Sequence, residues 1–408
     1  MADRGSIPSA SGITGARGSV GSVFGAFLRL GCTSFGGPVA HLGYFRAEFV
    51  VRRQWLDEAT YADIVALCQF LPGPASSQVG VSLGLRRAGL LGGLAAWAGF
   101  TLPSALLMVA FAYGLGRFGD LGHAAWLQGL KAVAVAVVAQ AIWGMARNLC
   151  PDRLRASVAV GAALLALAVP TAAGQIGAIA AGAVVGWQAL PAAVDPATGP
   201  FGVALDKHVA VGALVLFGAL LFGLLILAGL SGIHALDLFA SFYRSGSLVF
   251  GGGHVVLPLL QQAVVPSGWV DGNKFLAGYG AAQAVPGPLF TFAAYLGAAM
   301  VSPPRGWLGG IVCLSAIYLP SFLLLIGILP FWERLRRIEA VQAMLRGVNA
   351  VVVGLLIAAF YTPVWTSGIQ SRVDFAIALA AFLLLVFWRA APWLVVLLGA
   401  AGGALLSS

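Results

Sequence analysis

The stretch Phe70-Leu71-Pro72-Gly73-Pro74-Ala75-Ser76-Ser77-Gln78 lies inside an apolar run long enough to cross a membrane. A Pro-Gly-Pro there cannot continue a helix: two prolines remove two backbone donors, and the glycine between them has the widest conformational range. In lipid an unsatisfied backbone is costly, so such a break persists only where protein packs round it or a wet cavity adjoins it. Pro74 suits the first position of a new helix, because its missing N–H would lack a partner anyway. The free N–H groups of Ala75, Ser76 and Ser77 then point at the break and offer an anion partial positive charge.

The device recurs in the second half of the chain, at Gln283-Ala284-Val285-Pro286-Gly287-Pro288-Leu289. Matching interruptions in two apolar halves point to a transporter's binding site. Composition agrees. Of 408 residues, 60% are hydrophobic and 9% charged, against ~25% charged in soluble domains, so the chain is an integral membrane protein. Its formal charge of +9 reads as Lys/Arg anchoring of cytoplasmic loops rather than nucleic-acid binding. Cys32, Cys68, Cys150 and Cys313 are scattered through apolar segments without a C-x-x-C pair, and read as small packing residues.

Residues 1–22, rich in Gly, Ser and Ala, form a disordered tail that is no convincing signal peptide. Apolar segments follow at about 23–42, 61–85, 89–116, 123–146, 156–172, 174–190, 208–230, 239–260, 275–298, 306–330, 341–362, 373–388 and 391–406. The first, second, eighth and ninth carry Gly-Gly or Pro-Gly-Pro breaks and are broken or re-entrant helices rather than clean spans. Pairing of blocks divides the chain into a first transporter repeat (23–190), a linker (191–207), a connecting transmembrane helix (208–230) and a second repeat (231–408). Phe24-x-x-Phe27-x-Arg29-x-Gly31-x-x-x-Phe35-Gly36-Gly37 matches Phe239-x-x-Phe242-x-Arg244-x-Gly246-x-x-x-Phe250-Gly251-Gly252. Trp55-x-Asp57 matches Trp269-x-Asp271, and Gln69-x-x-Pro72-Gly73-Pro74 matches Gln283-x-x-Pro286-Gly287-Pro288. Leu102-Pro103-Ser104 matches Leu319-Pro320-Ser321, and Leu127-x-Gly129-x-x-Ala132-Val133 matches Leu345-x-Gly347-x-x-Ala350-Val351.

Parity sets the topology. Each repeat holds six segments, an even number, so it returns to its starting side; the lone connecting helix then places the second repeat on the opposite side. The repeats are thereby inverted, with a pseudo-twofold axis in the membrane plane. With a cytoplasmic N-terminus, the inner loops hold Arg86, Arg87, Arg147, Arg153, Arg155, Lys207, Arg334, Arg336, Arg337 and Arg389, and the outer loops mainly Arg117, Arg305 and Arg372, the positive-inside pattern. The loop with Arg46, Arg52 and Arg53 fits only if segment 23–42 is re-entrant.

Candidate substrate-binding residues cluster at the breaks. Arg29 and Arg244 are matched charges inside membrane segments, or arginines that snorkel to the interface. Gly36-Gly37-Pro38 and Gly251-Gly252-Gly253 allow close backbone approach. His41 and His254 follow these breaks and can donate to an oxyanion, carry a proton, or serve structural hydrogen bonds. Gln69, Ser76, Ser77 and Gln78 flank Pro72-Gly73-Pro74; Gln283 and Thr291 flank Pro286-Gly287-Pro288; neutral donors at two opposed helix N-termini suit an oxyanion. Lys131, matched by Asn349, and Glu48, matched by Ala263, are the coupling candidates, Lys131 having a structural alternative. Asp57 and Asp271 read as interfacial anchors beside tryptophan. No metal-ligand cluster or membrane acid–base pair is present in the sequence pattern, which disfavours a membrane-embedded hydrolase.

The blocks Ser34-Phe35-Gly36-Gly37-Pro38-Val39-Ala40-His41-Leu42-Gly43, Ala66-Leu67-Cys68-Gln69-Phe70-Leu71-Pro72-Gly73-Pro74-Ala75-Ser76-Ser77-Gln78, Phe250-Gly251-Gly252-Gly253-His254-Val255-Val256-Leu257-Pro258 and Gly280-Ala281-Ala282-Gln283-Ala284-Val285-Pro286-Gly287-Pro288 resemble the chromate ion transporter family in its long, bidomain form. The resemblance covers about 24–390. It implies a bacterial inner-membrane protein that exports chromate, a tetrahedral sulfate-like dianion, and confers chromate resistance. Ala263 departs from the acid that similar family members often carry there.

The expectation is therefore an all-α polytopic membrane protein with two inverted repeats of broken or re-entrant helices, working as a secondary transporter and not as an enzyme. The expected partners are a chromate- or sulfate-like dianion, the lipid bilayer, protons as a candidate counter-ion, and a second copy in a candidate homodimer; no nucleic acid, cofactor or metal is expected. A sulfate or other oxyanion transporter on the same scaffold, a channel, and a membrane enzyme acting on lipid phosphate are the competing readings.

Overall fold

The computed structural model describes residues 18–117, 125–191, 205–250, 253–335 and 337–406. Most of the N-terminal tail, most of the linker, and Gly251, Gly252 and Arg336 lie outside them. The described residues form helices and no strands. In the first half these are α1 (Val20–Thr33), α2 (Gly37–Phe45), α3 (Glu58–Phe70), α4 (Ala75–Arg117), α5 (Ala125–Leu149), α6 (Arg153–Ala168) and α7 (Ala172–Ala189). The connecting helix is α8 (Lys207–Ser231). The second half holds α9 (His234–Ser247), α10 (Val256–Val264), α11 (Gly272–Ala284), α12 (Phe292–Ala298), α13 (Gly306–Ile328), α14 (Trp332–Leu335), α15 (Glu339–Ala359), α16 (Thr366–Gly368), α17 (Arg372–Val386) and α18 (Pro392–Leu406). Among the described residues five helical stretches are long and apolar enough to cross a bilayer: Ala75–Leu115, Trp126–Leu149, Lys207–Ser231, Gly306–Leu335 and Glu339–Gly368.

Local chemistry explains where the helices start. Asp57 caps α3 by accepting from Thr60 N–H at 2.7 Å, and Asp271 caps α11 by accepting from Asn273 N–H at 2.9 Å. These two acids, read from sequence as interfacial anchors, are matched helix caps. Pro38 opens α2 and Ala75 follows Pro74 into α4, the positions where a missing N–H is harmless. Within α4 the backbone leaves helical geometry at Ala88 and Gly89 (φ +66°, ψ −158°), so the element is a short limb and a long limb joined by a reversal.

Contacts at the loops fix the path. Gly18 N–H donates to Arg87 O at 3.1 Å, and the Arg87 guanidinium lies 5.3 Å from the Trp55 ring centre. The start of α1, the end of the α2 limb and the reversal in α4 therefore share one face. Segments 23–42 and 61–85 are thus two re-entrant hairpins that enter and leave on that face. The loop with Arg46, Arg52 and Arg53 belongs to it, as the re-entrant reading requires. The second half repeats the arrangement: the rings of His234 and Trp269 are 4.9 Å apart, and Val301 N–H donates to Trp269 O at 3.2 Å. Its entry face is the opposite one, because Trp307 N–H donates to the hydroxyl of Tyr113, at the far end of the long α4 limb.

Packing is reciprocal. A Cβ on Gly31 would stand 2.7–2.8 Å from the carbonyls of Gly99 and Phe100, and one on its match Gly246 would stand 2.1 Å from Ile317 O. Gly347 of α15 meets Gly182 of α7, while its match Gly129 of α5 meets Gly399 of α18. Each half thus lays its last two helices on the central helix of the other: α6 and α7 on α15, α17 and α18 on α5. Small residues permit these backbone-to-backbone crossings, which is how helices gain van der Waals contact in a solvent as apolar as themselves. The chain is a multi-pass membrane protein of two inverted, interlocked repeats.

Candidate functional site

The breaks of the two halves meet crosswise. Gly73 N–H, in the first Pro-Gly-Pro, donates to Val249 O at 2.6 Å; Gly287 N–H, in the second, donates to Ser34 O at 2.9 Å. Ser34 and Val249 are themselves matched positions, each just ahead of its glycine-rich break. Both central glycines have positive φ, +126° and +98°. A Cβ at Gly73 would strike Ser321 Cβ at 2.4 Å, and one at Gly287 would stand 2.9 Å from Ser104 Oγ. Glycine is required at both places by conformation and by space. The donors freed by helix breaking are in this way satisfied by the opposite repeat.

A cavity of about 70 Å³ adjoins the Ser34–Gly287 junction, roomy enough for several waters by the ~10–15 Å³ that one requires. It is lined by Gly36, Gly37 and Pro38 from the first half, His254, Gln283, Val285, Gly287 and Leu289 from the second, Val137 and Gln140 of α5, and Pro392 of α18. Among these lining residues none is Asp, Glu, Lys or Arg. Gln283 Nε2 is buried without a hydrogen-bond partner among the described residues. His254 Nδ1 lies 2.7 Å from the hydroxyl of Tyr279. If that phenol donates, the other ring nitrogen carries the proton. The arrangement offers amide and imidazole donors without full charge, suited to reversible anion binding.

Other expected site residues lie elsewhere. Gln69 is exposed although its match Gln283 lines the cavity. His41 is fully buried between Ser34 O (3.3 Å) and Ser76 Oγ (3.4 Å), and braces the two breaks of its own half. Gln78 Nε2 donates to Pro72 O at 2.9 Å and holds the break's shape. Ser77 Oγ is buried and unpartnered among the described residues. The Thr291 hydroxyl donates to Pro288 O at 2.9 Å. After Pro288 a helix starts in the second half as well, first as a 3-10 turn, Leu289–Thr291, that runs directly into α12; Thr291 N–H donates to Pro288 O at 3.1 Å. Arg29 is exposed on α1, and Arg244 lines a separate crevice, so neither reaches the cavity. Gly251 and Gly252 lie outside the described residues, and Gly253 begins the turn that carries His254.

Neither coupling candidate lines the cavity. Glu48 is ion-paired with Arg52 and Arg53, and the Arg53 guanidinium lies over the Trp55 ring. Lys131 is buried in α5 and donates to Asn273 Oδ1 at 3.1 Å, at the capped start of α11 and close to Asp271 and Asp374. Gln140 and Pro392 escaped sequence reasoning. Gln140 had a usable signal, since it is a lone amide in the aliphatic run Val133–Ala141; Pro392 had none, because only the fold brings α18 to the break. Among the described residues no group of three or more His, Cys, Asp or Glu is placed to hold a metal.

The sequence profile described as chromate transporter matches residues 21–187 and again 236–404. The chain is 30% identical over 348 residues to the chromate transport protein of Pseudomonas aeruginosa, covering 82% of this chain and 78% of that one. It is 27% identical over 343 residues to the chromate transport protein of Cupriavidus metallidurans, covering 82% and 80%. It is 27% identical over 340 residues to a probable chromate transport protein of Synechococcus elongatus, covering 82% and 81%. No solved structure matches it. With both matched stretches spanning most of its length, and each carrying one set of helix breaks, the chain belongs to the chromate transporter family.

Proposed function

We propose that this protein exports chromate from the cytoplasm as a secondary transporter of the bacterial inner membrane, with its N-terminus inside. The observation that carries the reading is the cavity at the Ser34–Gly287 junction, where both repeats and the unpartnered amide of Gln283 converge. The names of the similar proteins supply the cargo. Gln283, Gln140 and His254 bind the dianion, and the backbone at Gly37 lets it approach closely. Rocking of one repeat against the other exposes the cavity to alternate faces. The arginine-rich face shared by Arg86, Arg87 and the 46–53 loop is the cytoplasmic one. Outward movement of a dianion from an inside-negative cell is downhill by ~4.6 kcal/mol at about 100 mV, ~2.3 per charge. Membrane potential, proton exchange or both drive the cycle.

Radiolabelled chromate flux in proteoliposomes, with imposed potential and pH gradients and with sulfate as competitor, tests this. Gln283→Ala and Gln140→Ala are each expected to raise the half-saturating chromate concentration by about 10–150-fold, the loss of one hydrogen bond to a charged group of roughly 1.5–3 kcal/mol. Unsaturable flux, or full affinity in the double variant, would overturn the assignment.

A further inference from the structure

We infer that α3 and α11 are paired gates, and that the structure is the state with the arginine-rich face open and the far face shut. This deepens the transport reading above, on which it rests for the fact of turnover.

The two helices are matched. Each starts at an aspartate cap, Asp57 or Asp271, and runs to its Pro-Gly-Pro. The repeat register pairs Ala59 with Asn273, Ala62 with Leu276, Ala66 with Gly280 and Gln69 with Gln283. Matched helices in an evenly closed molecule would be equally covered, and these are not. α11 is seated on α5 and α18, and its residues from Phe275 to Ala282 are all buried. A Cβ on Gly280 would stand 2.7 Å from Leu130 O, so the two backbones touch. The equivalent seat for α3 is α15 and α7, with Ala66 against the carbonyl of Val348, the counterpart of Leu130. α3 instead packs on α4 and on the Arg46–Arg52 turn, with no comparable packing on α15 or α7 among the described residues. Ala59, Ala62, Ala66 and Gln69 are left as an exposed stripe along one side of it.

Depth decides what covers that stripe. Gln69 lies ~17 Å along α3 from Glu58, at 1.5 Å per residue. An exposed amide that far into the fold is costly against lipid and cheap against water. The three alanines are the small residues that let one helix seat closely on another. The cavity lies on the open side of the seated gate. Gln140, which lines it, is ~15 Å along α5 from Leu130, towards the helix end that carries Arg147. The seat of α11 on α5 therefore stands between the cavity and the far face, while the unseated α3 leaves the near side open. Inverted repeats make the exchange possible, because each half can adopt the other's conformation. In the opposite state Ala66 seats on Val348 and Gly280 leaves Leu130.

Thiol modification in vesicles that expose the arginine-rich face outward tests this. The starting protein carries Cys32→Ser and Cys150→Ser, which removes the two cysteines that are not buried. Ala66→Cys in that protein is expected to react with a charged, membrane-impermeant methanethiosulfonate and to lose chromate flux at least about tenfold, because the gate can no longer seat. Flux is expected to return once the mixed disulfide is reduced and the reductant washed out. Val215→Cys, exposed on the apolar connecting helix α8, is expected to stay unmodified. Ala66→Trp, too large for the seat, is expected to keep the wild-type unfolding midpoint and lose flux, whereas Ala66→Ser keeps both. No reaction at Ala66→Cys, reaction that leaves flux intact, or full flux in Ala66→Trp overturns the gate and leaves the Gln283 cavity standing. A lowered midpoint in Ala66→Trp also overturns it, since the stripe would then be packed in this state. Disulfide-linked dimers of Ala66→Cys assign the stripe to a second copy and overturn it too. Wild-type vesicles without saturable chromate flux overturn the transport reading itself.

Discussion

Gly73→Ala isolates the contact by which one repeat grips the other. At Gly73 φ is +126°, and a Cβ would stand 2.4 Å from Ser321 Cβ and 3.0 Å from Gln78 Nε2. Holding alanine at positive φ costs about 1–3 kcal/mol. Driving its methyl into Ser321, which is fully buried, costs about 1–3 kcal/mol more. The sum is about 2–6 kcal/mol, a large part of a protein's net stability. Gly37→Ala is the reference: φ is +76° and nothing lies within 4 Å of its Cβ, so only the backbone cost applies. Ser321→Gly removes the atom that is struck, at about 1 kcal/mol for glycine inside a helix. Combined with Gly73→Ala it is expected to return the steric share, a coupling of about 1–3 kcal/mol. Reversible unfolding in mixed micelles, followed by tryptophan fluorescence, measures all four proteins. Equal losses at Gly73 and Gly37, together with strict additivity of Gly73→Ala and Ser321→Gly, would refute the crosswise packing of the breaks.

Three further outcomes are expected. Gly347→Ala and Gly129→Ala, whose Cβ atoms would meet the carbonyls of Gly182 at 1.9 Å and Gly399 at 2.1 Å, each destabilise by at least about 1–3 kcal/mol; Gly144→Ala, with open space around it, stabilises by about 0.5–1 kcal/mol, and the same micelle assay reads all three. Asp57→Ala costs about 0.5–2 kcal/mol near neutral pH through loss of the α3 cap. The Thr60 N–H holds the Asp57 carboxyl below its ordinary value of 3.8, so the stability it adds is present above that value and fades as the pH falls through the lowered one; a pH-independent gap between wild type and Asp57→Ala would count against it. Lys131→Met leaves Asn273, Asp271 and Asp374 without their neighbouring cation and lowers stability by about 1–3 kcal/mol, with the half-saturating oxyanion concentration in vesicle flux unchanged, because Lys131 lies off the cavity.

Several features were decided by residues close together in sequence. The membrane class follows from composition, because a bilayer admits few charges. The breaks follow from Pro-Gly-Pro and Gly-Gly-Pro, because a missing donor or an absent Cβ acts at its own position. The repeats follow from blocks held in register, and the inversion from counting segments. Only the tertiary structure decided which breaks meet. That Gly73 pairs with Val249 and Gly287 with Ser34 depends on how two half-molecules interlock, and nothing local encodes a contact across about 180–250 residues. The same holds for the residues that leave the site. Gln69 and Gln283 are matched in sequence, yet Gln69 is exposed while Gln283 is half-buried and lines the cavity beside Gln140 and Pro392. Arg29 and Arg244 are matched too, yet Arg29 is exposed and Arg244 half-buried. Sequence identity sets what each side chain can donate; the packing of the opposite repeat decides whether a guest, a neighbour or lipid receives it.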